Sequence, residues 1–158
     1  MHFDSIAQKA FINLWRTYDR LRQLEARLFD RFELTAQQYN VLRILNAKYP
    51  DPVPTLHLAE RLISAAPDIT RIVDKLEKQG LISRTRTQHD RRSVLIHITK
   101  AGRAKLSQIQ RPLRQCHEQQ LGHLTKKQLV QLTNLLRRAR QPHENATSPW
   151  RVERSDDR

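Results

Sequence analysis

The chain has 158 residues and carries 29 Lys and Arg against 16 Asp and Glu, a formal net charge of +13 at pH 7. This length suits one domain, and the excess of positive charge predicts a polyanionic partner. No apolar run approaches the ~20 residues of a membrane helix, and the polar N-terminus lacks a secretory signal, so we expect a cytoplasmic protein without membrane contact. The single cysteine, Cys116, excludes an intrachain disulfide, and the three scattered glycines exclude glycine-rich nucleotide loops.

The first predicted element is a long helix over residues 4–31. Its apolar side chains recur at helical spacing: Phe11, Leu14, Tyr18, Leu21, Leu24 and Leu28. The stripe is too long for the rest of a chain of this size to cover, which indicates a partner subunit.

A second helix is predicted to begin at a capping box formed by Thr35 and Gln38 and to end before Pro50. Prolines at positions 50, 52 and 54 predict a rigid, non-helical connector. We expect Thr55 to cap a short helix that follows. The apolar positions of that helix are Leu56, Ala59, Leu62 and Ile63.

Residues 64–66 are predicted to form a turn, with Pro67 at the first position of the next helix. The apolar stripe of this helix is Ile69, Ile72, Val73 and Leu76. The residues predicted to face outward are Thr70, Arg71, Asp74, Lys75 and Lys78. Gly80 should end the helix. Two helices joined by a short turn, the second with a cationic outer face, are typical of a helix-turn-helix.

Two short strands, 81–87 and 93–98, are predicted next, joined by a charged hairpin tip at 88–92. Thr99 should cap a long helix that runs to about residue 124 and bends at Pro112. A second capping box, Thr125 with Gln128, begins the last helix. The polar composition of 141–158 predicts a disordered tail.

Positive charge concentrates near the hairpin. Residues 84–114 contain nine basic side chains and one acid, Asp90. A helix-turn-helix followed by a basic hairpin predicts a winged helix, whose second helix enters the major groove of double-stranded DNA while the hairpin tip grips the minor groove. The alternative to a DNA-binding surface is a cationic face that contacts only solvent.

Three segments carry a family resemblance: LAERL at 58–62, PDITRIVDKLE at 67–77 and GLI at 80–82. Asp90 and Arg92, followed by Ile98, Thr99 and Gly102, complete it. Together these motifs resemble the MarR-type transcriptional regulators over residues 4–140.

The resemblance implies a mainly α fold, a winged helix-turn-helix with a small β-hairpin wing and long dimerisation helices. Residues 1–34 and 100–140 would form the dimerisation region and 35–99 the DNA-binding region. It implies a homodimer acting on pseudo-palindromic operators, usually as a repressor, released by a small and often aromatic effector. The predicted DNA-binding residues are Thr70, Arg71, Lys75, Arg84, Arg86, Asp90, Arg91 and Arg92. Arg92 would enter the minor groove, oriented by Asp90.

Other features leave alternatives open. Trp15, Tyr18, Tyr39 and His57 either line an effector pocket or pack in the core and dimer interface. Asp68 replaces the small hydroxyl residue usual in the family and either complements the helix dipole or accepts from a cytosine.

Cys116 is predicted to be an unreactive side chain packed in the core rather than a redox sensor. Together with His117, Glu118 and His123 it forms a marginal candidate for a zinc site. We predict no catalytic residue, no cofactor and no metal. The competing function is a non-specific nucleic-acid-binding or nucleoid-structuring protein, for which charge alone would suffice.

Overall fold

A computed structural model describes residues 3–63, 68–86 and 94–144, and within these ranges it contains six α-helices and three short strands. The helices are α1 (Ile6–Asp30), α2 (Ala36–Lys48), α3 (Thr55–Arg61), α4 (Ile69–Lys78), α5 (Lys100–Leu121) and α6 (Lys126–Arg140). The strands are β1 (Val53–Pro54), β2 (Ile82–Arg86) and β3 (Val94–Ile98). The mainly α fold with a small hairpin is confirmed.

The three strands form one antiparallel sheet in the order β1-β3-β2. β2 and β3 pair along their whole length, from Ile82 opposite Ile98 to Arg86 opposite Val94. The two-residue strand β1 was not predicted. It pairs with the other edge of β3, where Val53 lies opposite Ile96. Proline cannot donate to a ladder but is tolerated at an edge strand, which is where Pro54 lies.

Side-chain caps begin most of the helices, as predicted. Thr35 with Gln38 and Thr125 with Gln128 both form reciprocal capping boxes. The prediction that Thr55 caps α3 is wrong, because Pro54 occupies the cap position and provides no side-chain hydrogen bond. The Thr55 hydroxyl instead donates to the carbonyl of Val94 at 3.1 Å, which fastens α3 to the sheet.

The buried face of α3 also differs from the predicted one. Leu58 is fully buried and Leu62 nearly so, whereas Leu56 and Ile63 are exposed. Leu58 lies within α3, whereas Leu62 is the C-cap residue just beyond it and has an extended backbone. Both side chains belong to the apolar core and fasten the end of α3 to it.

The recognition helix α4 begins two residues later than predicted, at Ile69, with Asp68 as its N-cap. Its end agrees with the prediction, since Gly80 adopts a φ of 69° just beyond it. The amide of Gly80 donates to Glu77 and that of Leu81 to Leu76, at 2.8 and 3.0 Å. This Schellman arrangement turns the chain directly into β2.

The core is a single apolar cluster built from α2, α3, α4, the sheet and the middle of α5. Only the C-terminal end of α1 enters it, through Leu28 and Phe29. No residue of α6 within the described range is buried. The long stripes predicted on the first and last helices are therefore covered only in part.

The tail predicted for 141–158 begins differently from the expectation. Gln141–His143 form a turn of 3₁₀ helix, and an ion pair between Arg140 and Glu144 at 3.2 Å closes it. The rest of that segment lies outside the described residues, as do the turn at 64–66 and the hairpin tip at 88–92.

Candidate nucleic-acid interface

The outer face of α4 is the best-defined part of the predicted interface. Ile72, Val73 and Leu76 are buried against the core and fix the helix by its inner stripe. The opposite face carries the exposed side chains Thr70, Arg71, Lys75 and Lys78. A rigid helix that presents a hydroxyl and three cations to solvent has the chemistry needed to contact phosphates and base edges.

Asp68 acts as a cap in the folded chain. Its carboxylate accepts a hydrogen bond from the backbone N–H of Arg71 at 3.0 Å. This contact occupies one oxygen and places negative charge at the positive end of the helix, which stabilises α4. The geometry favours the capping interpretation over a direct contact with cytosine.

Arg84 lies at the junction between the wing strand β2 and α4. Its guanidinium forms a hydrogen-bonded ion pair with Asp74, and its Nε lies 3.1 Å from the carboxylate of Glu77. The second contact is an ion pair without hydrogen-bond geometry. Because two carboxylates already hold this charge, Arg84 fixes the wing strand to the recognition helix. Its predicted contact with DNA stays a prediction.

The described part of the wing ends at Arg86 and resumes at Val94. Arg86 is exposed and pairs with Val94 at the outer end of the hairpin. One step inward, the hydroxyl of Thr85 lies 3.0 Å from Nε2 of His97 across the two strands. Asp90, Arg91 and Arg92, predicted to contact DNA, lie outside the described residues.

A close contact fastens the wing and α4 to α5. The hydroxyl of Thr99 donates to the carbonyl of Gly80 at 2.8 Å, and the amide of Thr99 donates to Leu81 at 3.1 Å. The amide of Gly102 returns a hydrogen bond to the Thr99 hydroxyl at 3.1 Å. A Cβ on Gly102 would lie 2.2 Å from the carbonyl oxygen of Leu81. In the Thr-x-x-Gly motif, the threonine therefore supplies hydrogen bonds to the junction, and the glycine leaves room for the carbonyl of Leu81.

Among the residues that the structure describes, two helices carry exposed apolar faces. On α1, the exposed large side chains are Ile6, Phe11, Leu14, Trp15 and Tyr18. On α6 they are Val130, Leu135 and Leu136. Those of residues 11–18 follow helical spacing, so they form one continuous stripe. Contiguous apolar surface of this kind marks an interaction site.

The four residues predicted to bind an effector do not form one cluster in a single chain. Trp15 lines a small depression on α1 with Arg16 and Arg20. Tyr39 lines a different groove, between α2 and α5, and its ring lies 5.0 Å from that of Phe29. Tyr18 and His57 are exposed on α1 and α3. Their joint role in a ligand site stays a prediction.

The groove beside Tyr39 contains functional candidates that the sequence did not reveal. Arg43 lies one helical turn after Tyr39 and faces Lys100 and Arg103 of α5 across it. Burial raises the pKa of the Tyr39 phenol, the charge of Arg43 lowers it in part, and that of Glu25 raises it. The four-residue spacing of Tyr39 and Arg43 was a readable signal, but their pairing with α5 is a tertiary contact.

Cys116 is buried on the inner stripe of α5, and burial together with the negative charge of Glu25 raises the pKa of its thiol. A thiol of this kind is a poor nucleophile at neutral pH.

Within the described ranges, no group of three or more His, Cys, Asp or Glu side chains is placed to hold a metal ion. Nor does any helix there have the length and apolarity needed to cross a membrane.

Comparison with known proteins identifies the fold. The sequence profile of the MarR family matches residues 34–94. A MarR transcription factor from Planctomyces limnophilus shares 47% identity and a TM-score of 0.70, with 85% of this chain and 98% of that one covered. The solved structure of a Bordetella bronchiseptica regulator, whose DNA binding is regulated by 6-hydroxynicotinic acid, has a TM-score of 0.73. It covers 83% of this chain and 98% of its own at 22% identity, a likeness of fold.

Among curated proteins, the homoprotocatechuate degradative operon repressor of Escherichia coli is 33% identical over 90 residues. This match includes 56% of the chain and spans 59% of that repressor's length. The chain belongs to the MarR family of transcriptional regulators.

Proposed function

We propose that the protein is a homodimeric repressor that binds pseudo-palindromic operator DNA and releases it when a small effector binds. The observation that carries the proposal is the outer face of α4, which is rigidly mounted on the core and presents Thr70, Arg71 and Lys75 to solvent. In this arrangement α4 lies in the major groove and the basic wing reaches the flanking minor groove.

Each side chain then has a distinct task. Arg71 reaches a guanine edge or a phosphate, and Thr70 and Lys75 contact the neighbouring backbone. At the wing, Arg86 contacts phosphate, Arg91 adds charge, and Arg92 enters the minor groove with Asp90 orienting it. Residues 35–99 form the DNA-binding region of this proposal.

The uncovered apolar faces support the dimer. Residues 1–34 and 100–140 supply these faces, and a second copy of the chain would bury the exposed stripes of α1 and α6. Leu135→Asp should therefore produce monomers in sedimentation experiments. Leu56→Asp is the matched control, because Leu56 is 69% exposed on α3, away from both faces, whereas Leu135 is 62% exposed. A Leu135→Asp protein that remains fully dimeric would contradict this arrangement.

Binding-site selection from a random duplex pool tests the DNA-binding role. A twofold dimer should select two inverted half-sites about 10 bp apart, centre to centre. If Arg71 contacts a base, the Arg71→Ala variant should lose preference at one base pair in each half-site, and Arg92→Ala should lose preference for A·T-rich flanks. Selection of a single, unrepeated motif would contradict the proposal that a twofold dimer binds two half-sites.

The effector part of the proposal is supported by the relatives. One is a repressor of a homoprotocatechuate degradative operon, and DNA binding by another is regulated by 6-hydroxynicotinic acid. Both compounds are small aromatic acids. Trp15 lines a depression on α1 with Arg16, Asp19 and Arg20, so a ring contact and two cations for a carboxylate lie together there, and Tyr18 is exposed on the same helix.

The net charge of +13 favours one second candidate, a non-specific nucleic-acid-binding protein. Such a protein would bind random duplexes as tightly as selected ones, since counterion release alone would drive its binding.

A further inference from the structure

We propose that the outer face of α6 binds a second segment of double-stranded DNA, so that one dimer holds two duplexes together. Positive charge is unevenly placed along the chain. Residues 100–140, which include α5 and α6, carry ten Lys and Arg against one acid, Glu118, whereas residues 35–99 carry ten against six. The larger excess of positive charge therefore lies outside the predicted DNA-binding region, and it predicts a polyanionic partner of its own.

Four cations define this surface, the cationic face of α6: Lys126, Lys127, Arg137 and Arg138. The first and third are eleven residues apart, as are the second and fourth, and eleven residues make about three helical turns. The members of each pair therefore lie on the same side of the helix, with about 16 Å between them. This length is enough to span the ~12 Å major groove from one phosphate backbone to the other.

The charges of this face are not neutralised by the described part of the chain, whose ion pairs include none of the four. Lys126, Lys127 and Arg138 are exposed. Arg137 donates to the side-chain oxygen of Asn134 at 3.1 Å, which orients its guanidinium and leaves its charge uncompensated. Lys126 and Lys127 lie in the first turn of α6, where the helix dipole disfavours cations. The two lysines therefore do not stabilise the helix, and an anionic partner would relieve the repulsion.

The cationic face stays free in a dimer that already holds one duplex, a point that rests on the proposed function. The leucines of α6 lie on the opposite side of the helix, so a dimer that buries them leaves the cations outward. The 22 residues of α5 separate the wing from the start of α6 by roughly 30 Å. Neither α4 nor the described wing strands pack extensively on α6. A duplex on α4 and the wing would therefore not cover this face.

The chemistry of the cationic face favours a nucleic-acid backbone over a lipid surface. A helix that lies on a membrane inserts large apolar or aromatic side chains next to its cations. α6 has no aromatic residue, and the apolar side chain among its cations, Val130, is only 36% exposed. Cations without such anchors suit phosphates, which carry no sequence information, so the second duplex would be bound whatever its sequence. Neighbouring segments of the DNA that holds the dimer supply this partner at high local concentration.

Capture of a second duplex tests the proposal. A duplex that contains the selected site is fixed on beads and loaded with the full chain, and a fluorescent duplex of shuffled sequence is then added. We expect the loaded beads to capture the fluorescent duplex at about 50 mM salt and to release most of it by about 200 mM. Loaded beads that capture none of it at the lower salt concentration would overturn the proposal.

A combined variant locates the binding surface. Lys126→Gln, Lys127→Gln and Arg138→Gln together should reduce capture about tenfold or more and leave loading on the bead duplex unchanged. The control of equal charge change replaces with glutamine three exposed cations elsewhere in the chain, Lys9, Arg31 and Lys48. It should capture the fluorescent duplex like the parent protein, and equal capture by the two combined variants would refute the site. Melting temperatures and sedimentation without DNA check that both variants are folded dimers.

Failure of the proposed function would give a different result from failure of this site. Without sequence-specific binding, the protein would load equally on bead duplexes of selected and shuffled sequence, while capture would still depend on the cations of α6. Flotation with vesicles of phosphatidylserine and phosphatidylcholine tests the lipid alternative. Vesicle binding that the α6 variant loses, without capture of a second duplex by the parent protein, would overturn DNA as the partner.

Discussion

Replacing Gly102 with alanine gives the sharpest test of the junction that holds the wing. The new Cβ would lie 2.2 Å from the carbonyl oxygen of Leu81 and 2.9 Å from Cγ1 of Ile98, whereas ordinary contacts begin near 3.4 Å. The α4–β2 turn would have to retreat by about an ångström, because the nearest atom belongs to the backbone.

That movement would also disturb the hydrogen bonds from Thr99 to Gly80 and Leu81. Overpacking costs about 1–3 kcal/mol, and each weakened hydrogen bond about 1 kcal/mol, so we expect a loss of about 3–5 kcal/mol in the free energy of unfolding. For a chain of this size the melting temperature should fall by about 6–20 °C.

Circular dichroism during urea titration measures this loss, at one fixed protein concentration because dimer stability depends on it. Helix propensity alone predicts the opposite sign, since alanine is favoured over glycine in helices by up to about 1 kcal/mol. Ala101→Gly, at the exposed neighbouring position, is the control and should cost no more than about 1 kcal/mol. A Gly102→Ala protein as stable as the parent would refute the proposed close contact.

Gly80→Ala should cost about 1–2 kcal/mol in the same assay, because the φ of 69° is unfavourable for a residue with a Cβ, and Gly80→Asn should cost less. Arg71→Ala should weaken operator binding about tenfold or more in fluorescence anisotropy without changing the melting temperature, and an unchanged affinity would remove Arg71 from the interface. Arg84→Gln should weaken DNA binding and leave the slope of log K against log[salt] within about 0.5, whereas loss of one phosphate contact per protomer would change it by about 2. The raised pKa of Cys116 predicts that its thiol reacts far more slowly with a thiol reagent at pH 8 in the folded protein than in urea; equal rates would show it to be accessible.

The pH dependence of stability follows from the same thiol. Because the folded pKa of Cys116 is raised, the contribution of this group is complete at pH values below the unfolded pKa and is lost as the pH rises towards the folded value. Cys116→Ser should therefore have a flatter stability profile than the parent above about pH 8.5. Parallel profiles for the two proteins would contradict a buried, neutral thiol.

Local signals in the sequence predicted much of the fold, because each acts over a few residues. The capping boxes at Thr35 and Thr125 and the stop at Gly80 specify where helices begin and end, and the structure has them. The alternating apolar residues of β3 likewise identified the strand that β2 pairs with.

The errors occur where tertiary contacts override local preference. Thr55 has a side chain typical of a helix N-cap, but its hydroxyl donates to the carbonyl of Val94 in the sheet. Strand β1 forms because Val53 and Pro54 pair with the free edge of β3. Two residues are too few to show the alternation of apolar and polar side chains by which a strand is predicted. The face of α3 was misplaced because a seven-residue helix has too few positions to define a stripe.

For the same reason, the sequence predicted which residues of the candidate interface are exposed, but it did not predict which side chains contact one another. The exposed face of α4 follows from its apolar stripe, so Thr70, Arg71 and Lys75 could be placed from sequence. The ion pairs of Arg84 with Asp74 and Glu77 could not, because they depend on how β2 folds back along the helix.

The most direct test of sequence-specific regulation is the ratio of two affinities at one salt concentration. The full chain would be titrated with a duplex containing its selected site and with a duplex of the same bases in shuffled order. Sequence-specific recognition by α4 and the wing predicts a ratio of about 10³ or more near physiological salt. A ratio near one, with both affinities falling together as salt rises, would show that the charge of +13 alone drives binding.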